Sequence, residues 1–167
     1  LWRLKSPTGR KKQQQQKTTN TMKTNRETAT AFVNGKQADG SNLRTDGIIL
    51  VSYYTVIGTR AEYYNTTEGR EVIFLCRAGY SNTTRKHKAH VYSAACRKGY
   101  KVIEIAKVQP YGETDHAKNI ESFMDEIASL QRKADHARKE YTKAAYLRQA
   151  DEEAANMETY KCIFKLA

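Results

Sequence analysis

The sequence predicts an α+β fold: a small β-β-α-β module, with a disordered basic N-terminus before it and a long C-terminal helix after it. Three observations predict this. Two segments, Ile48 to Ile57 and Glu71 to Cys76, are rich in the β-branched and aromatic residues that suit a pleated, half-buried surface. A segment of helical composition, Arg85 to Lys98, is followed by an alternating run, Tyr100 to Val108. From residue 115 onward the apolar residues recur at helical spacing. A chain of 167 residues corresponds to one domain, or one domain with appendages.

Residues 1–21 differ from the rest. Four consecutive Gln, a basic cluster and no apolar period predict a disordered leader. Met22 opens a more ordinary sequence, so it is the expected natural start, with the leader a tag, a scar or upstream translation. The functional alternative is a basic arm that wraps a nucleic acid. Residues 22–47 form a polar, turn-rich segment with Asn34-Gly35, Asp39-Gly40 and Asp46-Gly47 as turn signals. Ala29 to Val33 is expected as a short strand there.

Residues 48–109 are the expected core module. Tyr53, Thr55 and Ile57 would share one face of the first strand by its period of two, and Tyr63-Tyr64 would extend it. Asn65 to Gly69 reverses the chain into the partner strand ending at Cys76. A helix follows, capped by Ser81 or Thr83, with Val91, Ala94 and Ala95 as a narrow core stripe and Gly99 ending it. In the third strand Val102, Glu104 and Ala106 alternate with Ile103, Ile105 and Lys107, and Pro110 stops it.

Residues 115–158 are expected as one long amphipathic helix capped by Thr114 or Asp115. Ile120, Phe123, Met124, Ile127 and Leu130 form its stripe, which thins to Ala134, Ala137, Tyr141, Ala144 and Leu147. This near-heptad spacing leaves two readings: a coiled-coil dimer or protein-partner surface through residues 120–147, or one helix docked on the sheet by its first half. Residues 159–167 are an apolar tail, a strand or a docking segment.

Charge is unevenly divided. The net formal charge of +11 resolves into +6 for residues 1–21, +1 for 22–47, +6 for 48–109 and −2 for 110–167. The basic character therefore belongs to the leader and the core module, and a basic module attracts polyanions, nucleic acid foremost. Hydrophobic residues make up 39% of the chain, and no apolar run approaches the roughly 20 residues of a membrane span. Cys76, Cys96 and Cys162 form no C-x-x-C pair, and their odd number suits reduced thiols in a cytoplasm.

No phosphate-binding glycine loop, zinc-protease helix or paired-cysteine motif is present. His87 and His90 read as a surface pair beside two buried thiols, Cys76 and Cys96, and not as metal ligands. Ser81 and His87 lack a nearby carboxylate to orient the imidazole. The expectation is therefore a non-enzymatic protein without metal or cofactor. What remains is the turn between strand and helix: Tyr80, Ser81, Thr83, Thr84, Arg85, Lys86, His87 and Lys88. Free backbone N–H groups at a helix start receive anions. Cations placed there oppose the helix dipole by a few tenths to ~1 kcal/mol each, which calls for compensation or a purpose. These residues, with Tyr80 and Tyr92 as stacking rings, are the candidate anion or nucleic-acid site. The alternative function is a protein–protein adaptor or host-interaction factor using the C-terminal helix.

Two short motifs carry a resemblance. Ser52-Tyr53-Tyr54-Thr55-Val56-Ile57 and Tyr80-Ser81-Asn82-Thr83-Thr84-Arg85-Lys86-His87 resemble an uncharacterised small domain of tailed bacteriophages and some bacteria. Its pattern is S-Y-x-T-x-I-A followed by a strand and Y-S-x-T-T-x-[KR]-H. The match covers about residues 48–98, with Gly58 where the family often shows Ala. The resemblance implies a phage or prophage setting, hence a host cytoplasm. It carries no known activity. Tyr80, Ser81, Thr83, Thr84 and His87 match the second signature, either as a fold-defining turn or as a binding site.

Overall fold

Every residue of the strand Val72–Cys76 is buried, which places it between two apolar layers. The computed structural model describes residues 22–64, 71–79, 81–109 and 114–167, with Tyr63 and Tyr64 described in their backbone alone. The leader, the reversal at Asn65 to Gly69, Tyr80 and Pro110 lie outside the described residues. In chain order the elements are α1 (Asn25–Val33), β1 (Ala38–Asp39), β2 (Leu43–Thr45), β3 (Ile49–Ser52), β4 (Thr55–Arg60), a 3-10 turn (Ala61–Tyr64), β5 (Val72–Cys76), α2 (Asn82–Lys98), β6 (Lys101–Ile105), α3 (His116–Asp135) and α4 (Glu140–Phe164).

The fold is α+β. Among the described residues six strands lie in sequence order in one sheet, antiparallel from β1 to β5. The last pair, β5 and β6, is parallel because α2 carries the chain back before β6 begins. Alternation along β5 feeds two cores. Ile73 and Leu75 pack with Phe32, Leu50, Ile57, Val91 and Ala95 under α1 and α2. Phe74 and Cys76 pack with Ile103, Ile105, Phe123, Tyr160 and Ile163 under α3 and α4.

Several expected details hold. Ser81 caps α2, and Gly99 ends it in the left-handed region at φ 71°, where a Cβ would be strained. Val91, Ala94 and Ala95 are buried, and Asp115 caps α3 by accepting the Lys118 N–H at 3.0 Å. The long C-terminal helix is α4, which spans 25 residues.

Others need correction. Ala29 to Val33 is not a strand but the C-terminal half of α1, buried except at the half-buried Thr30. Thr24 caps that helix: its hydroxyl accepts the Glu27 N–H, while the Glu27 carboxylate accepts the Thr24 N–H at 2.8 Å. Thr-x-x-Glu before an apolar run is the sequence signal for such a start. Ile48 to Ile57 is not one strand; it folds at Tyr53-Tyr54 into the β3–β4 hairpin, and Tyr53 takes a φ of 54°. Tyr63 and Tyr64 belong to the 3-10 turn instead of extending β4. The register of that hairpin slips between Leu50 and Val51, opposite Gly58 and Val56, which is a β-bulge. A Cβ at Gly58 would lie 2.7 Å from Leu75 Cδ2, so alanine here requires Leu75 to move.

The expected run 115–158 is divided at residues 136–139 into α3 and α4. The two fold back on each other, bringing Asn119 against Tyr160: the Asn119 amide donates to the Tyr160 hydroxyl at 2.9 Å. An alanine-rich helix buries little by itself, and folding back adds a partner face. The tail from residue 159 is the end of α4 and docks, with Tyr160 and Ile163 buried. Among the described residues no helix is long and apolar enough to cross a membrane.

Candidate functional site

The first turn of α2, which follows β5 in the chain after residues 77–81, carries no acidic residue. Its N-cap Ser81 is exposed and accepts the Thr84 N–H at 3.4 Å. Arg85 and Lys86 are exposed, and Thr83 is half-buried. Lys88 is not part of this open surface. Its ammonium donates to the Cys76 carbonyl at 2.8 Å and pairs with Glu104 at 2.6 Å. Tyr92 leaves the site as well, because its hydroxyl donates to Glu104 at 3.0 Å. Burial first, then the Glu104 carboxylate, hold that phenol well above its ordinary pKa.

Thr84 and His87 face inward and meet β3. Ser52 Oγ lies 2.8 Å from His87 Nδ1 and 3.4 Å from Thr84 Oγ1. The other imidazole nitrogen, Nε2, lies 3.1 Å from Asn25 Nδ2 at the start of α1. The tautomer follows from the partners. Asn25 Oδ1 accepts the Asn42 N–H at 3.3 Å, so the Asn25 amide nitrogen faces His87 and donates. Nε2 then accepts, Nδ1 carries the proton and donates to Ser52, and the Ser52 and Thr84 hydroxyls share a hydrogen bond. Thr84 in turn meets Ser81 Oγ at 3.3 Å. One chain of side-chain hydrogen bonds thus runs from the β1–β2 turn through α1 and β3 to the cap of α2. His87 is 1% exposed and Ser52 2%. His87 is therefore buried, and Cys96 is exposed, the reverse of what the sequence suggested for each. Burial first, then the charge of nearby His90, push the His87 pKa below its ordinary value, so the ring is neutral at physiological pH.

In this arrangement Nδ1 donates to Ser52, whereas a serine base accepts the hydroxyl proton, and Ser52 and His87 are both buried. Among the described residues no group of three His, Cys, Asp or Glu side chains could hold a metal ion.

The buried chain places the β3–β4 turn against the first turn of α2. The Tyr53 ring lies 6.3 Å from the His87 ring, centre to centre. Tyr53 remains 45% exposed and Tyr54 94%. Beside them, Asp39, Gly40, Ser41, Asn42, Leu43, Arg44, Tyr53 and Tyr54 line a cleft of about 360 Å³.

Comparison with family models, curated proteins and solved structures returns no match. The site is therefore read from its own geometry.

Of the expected site residues, Ser81, Thr83, Arg85 and Lys86 lie on the outer side of the turn, Thr84 and His87 belong to the buried chain, and Lys88 is ion-paired; Tyr80 lies outside the described residues. The sequence reading missed Asn25, Glu104 and the exposed pair Tyr53-Tyr54. For Asn25 the capping box was the available signal. For the tyrosines none existed, because a strand and a hairpin share the same composition until a turn is located.

Proposed function

We propose that this protein is a non-enzymatic binding protein for nucleic acid or a related polyanion, working in a cytoplasm and, following the resemblance of its motifs, in a phage or bacterial setting. The observation that carries the reading is the exposed Arg85-Lys86 pair in a helix start that holds no acid, beside two outward tyrosines. Such a start presents N–H groups and positive charge to an anion. The buried Ser52–His87 chain supports it by fixing the turn without using the open side chains. Thr84 and His87 then serve the site as scaffold.

Binding of a single-stranded oligodeoxynucleotide measured at several salt concentrations tests the reading. Replacing Arg85 and Lys86 together by Gln removes two phosphate contacts, so the slope of log K against log salt shrinks by about 1.4 at ~0.7 per contact. An unchanged slope and affinity overturn the reading. The fold survives this double change, because cations at a helix start oppose its dipole.

A second reading, a homodimer or adaptor through the α3–α4 hairpin, is favoured by the exposure of Met124, Tyr141 and Leu147. Leu130 is already packed away, which narrows that surface. Sedimentation at rising concentration separates the two readings.

A further inference from the structure

We infer that the cleft between the β1–β2 and β3–β4 turns receives a base of a single-stranded nucleic acid, stacked on Tyr53 and Tyr54 while Arg44, Arg85 and Lys86 meet the phosphates. This rests on the polyanion reading above and names its ligand class. Four observations carry it.

The cleft, at about 360 Å³, falls within the roughly 300–1,000 Å³ of small-ligand sites. Two of its eight lining residues are the tyrosines of the hairpin turn. Tyr54 is 94% exposed at the hairpin tip, so its π-face is open to a flat partner, and every nucleobase has a π-face to offer. Its other lining includes residues of the kind that read base edges, Asn42 and Asp39, while the Ser41 hydroxyl donates to Asn25 at 3.4 Å. A carboxylate suits the exocyclic amine of a base and repels a phosphate, so Asp39 marks where the base sits and not where the backbone runs. Of the cations, Arg44 lines the cleft, and Arg85 and Lys86 are exposed between Thr84 and His87 in the turn that meets Ser52 and Tyr53.

The combination selects single strands. In a duplex the bases are stacked on each other and their faces are closed to a side chain. In a single strand an unstacked base can enter, and aromatic stacking with edge hydrogen bonds is how such strands are recognised. The start of the β3–β4 turn is anchored in the core. Ser52, directly before Tyr53, is anchored at 2.8 Å to the buried His87.

The test uses the full chain and its Tyr54→Ala variant. The probes are a short mixed-sequence oligodeoxynucleotide, its duplex, an abasic strand of the same length, and heparin. Anisotropy or competition at fixed salt gives the affinities. The expected result is that the wild type prefers the base-bearing strand over both the duplex and the abasic strand. Tyr54→Ala should weaken the base-bearing strand by about ten-fold, the scale of one stacked base. It should leave the abasic strand, heparin and the melting temperature unchanged. Equal binding of base-bearing and abasic strands, preference for the duplex, or no effect of Tyr54→Ala overturns the stacking inference and leaves the polyanion reading standing. Failure of the wild type to bind any of the four overturns both.

Discussion

His87→Ala is expected to destabilise the protein by about 3–4 kcal/mol at pH 7.5. The ring is buried where α1, β3 and α2 meet. Its removal takes the ring partner from the half-buried Asn25 amide and leaves the buried Ser52 hydroxyl with Thr84 alone, where a buried polar group that loses its partner costs about 1–3 kcal/mol. It also leaves a cavity that the surroundings refill only in part. Ser52→Ala removes one link and should cost about 1–2 kcal/mol. Because the two residues share a bond, the double variant should cost less than the sum of the singles by about 1 kcal/mol. Urea unfolding followed by circular dichroism measures all three. The pH dependence has a definite sign. Burial lowers the His87 pKa in the native state, while the unfolded ring titrates near pH ~6.5. Below that pH the unfolded chain binds more protons, so stability rises with pH. It is fully present above about pH 6.5 and is lost as pH falls through the native value. His116 is lowered as well, by burial against the opposing charge of Asp115. The pH 7 to 5 loss should therefore be smaller in His87→Ala, but not zero. A cost below about 1 kcal/mol, or additive singles, refutes the claim that this chain of hydrogen bonds holds the turn to the helix.

Two further predictions concern cations that the fold uses. Lys88→Gln should destabilise by about 1–3 kcal/mol, because the partly buried ammonium holds the Cys76 carbonyl and Glu104; denaturant midpoints would show this beside the neutral Arg85/Lys86 pair. Arg60→Ala should cost about 2–4 kcal/mol. The buried guanidinium donates to the Phe32 and Val33 carbonyls at the end of α1 and to Glu62, and calorimetry should record the fall in melting temperature.

The strands around Cys76, the helix from Ser81 to Lys98 and the cap at Gly99 were legible in the sequence because each depends on neighbours along the chain. Composition, a capping serine and a left-handed glycine act within one turn or one strand. The basic turn before α2 was legible for the same reason. What the local pattern did not contain was which of its residues face outward. Thr84, His87 and Lys88 carry the same polar chemistry as Thr83, Arg85 and Lys86. Their separation came from partners far away in sequence: Asn25 and Ser52 for His87, Glu104 for Lys88. The same holds for the division of the C-terminal helix at residues 136–139, where no glycine or proline marks a break and packing of α3 on α4 decides it. The turn at Tyr53-Tyr54 likewise needed the pairing of β3 with β4 before it became visible. Sequence alone determined the strand that ends at Cys76, the helix after it with its caps, the strand that follows, and the location of the positive charge. Tertiary structure decided which charges are spent inside the fold and which remain on its surface, since burial and long-range hydrogen bonding are properties of the assembled layers.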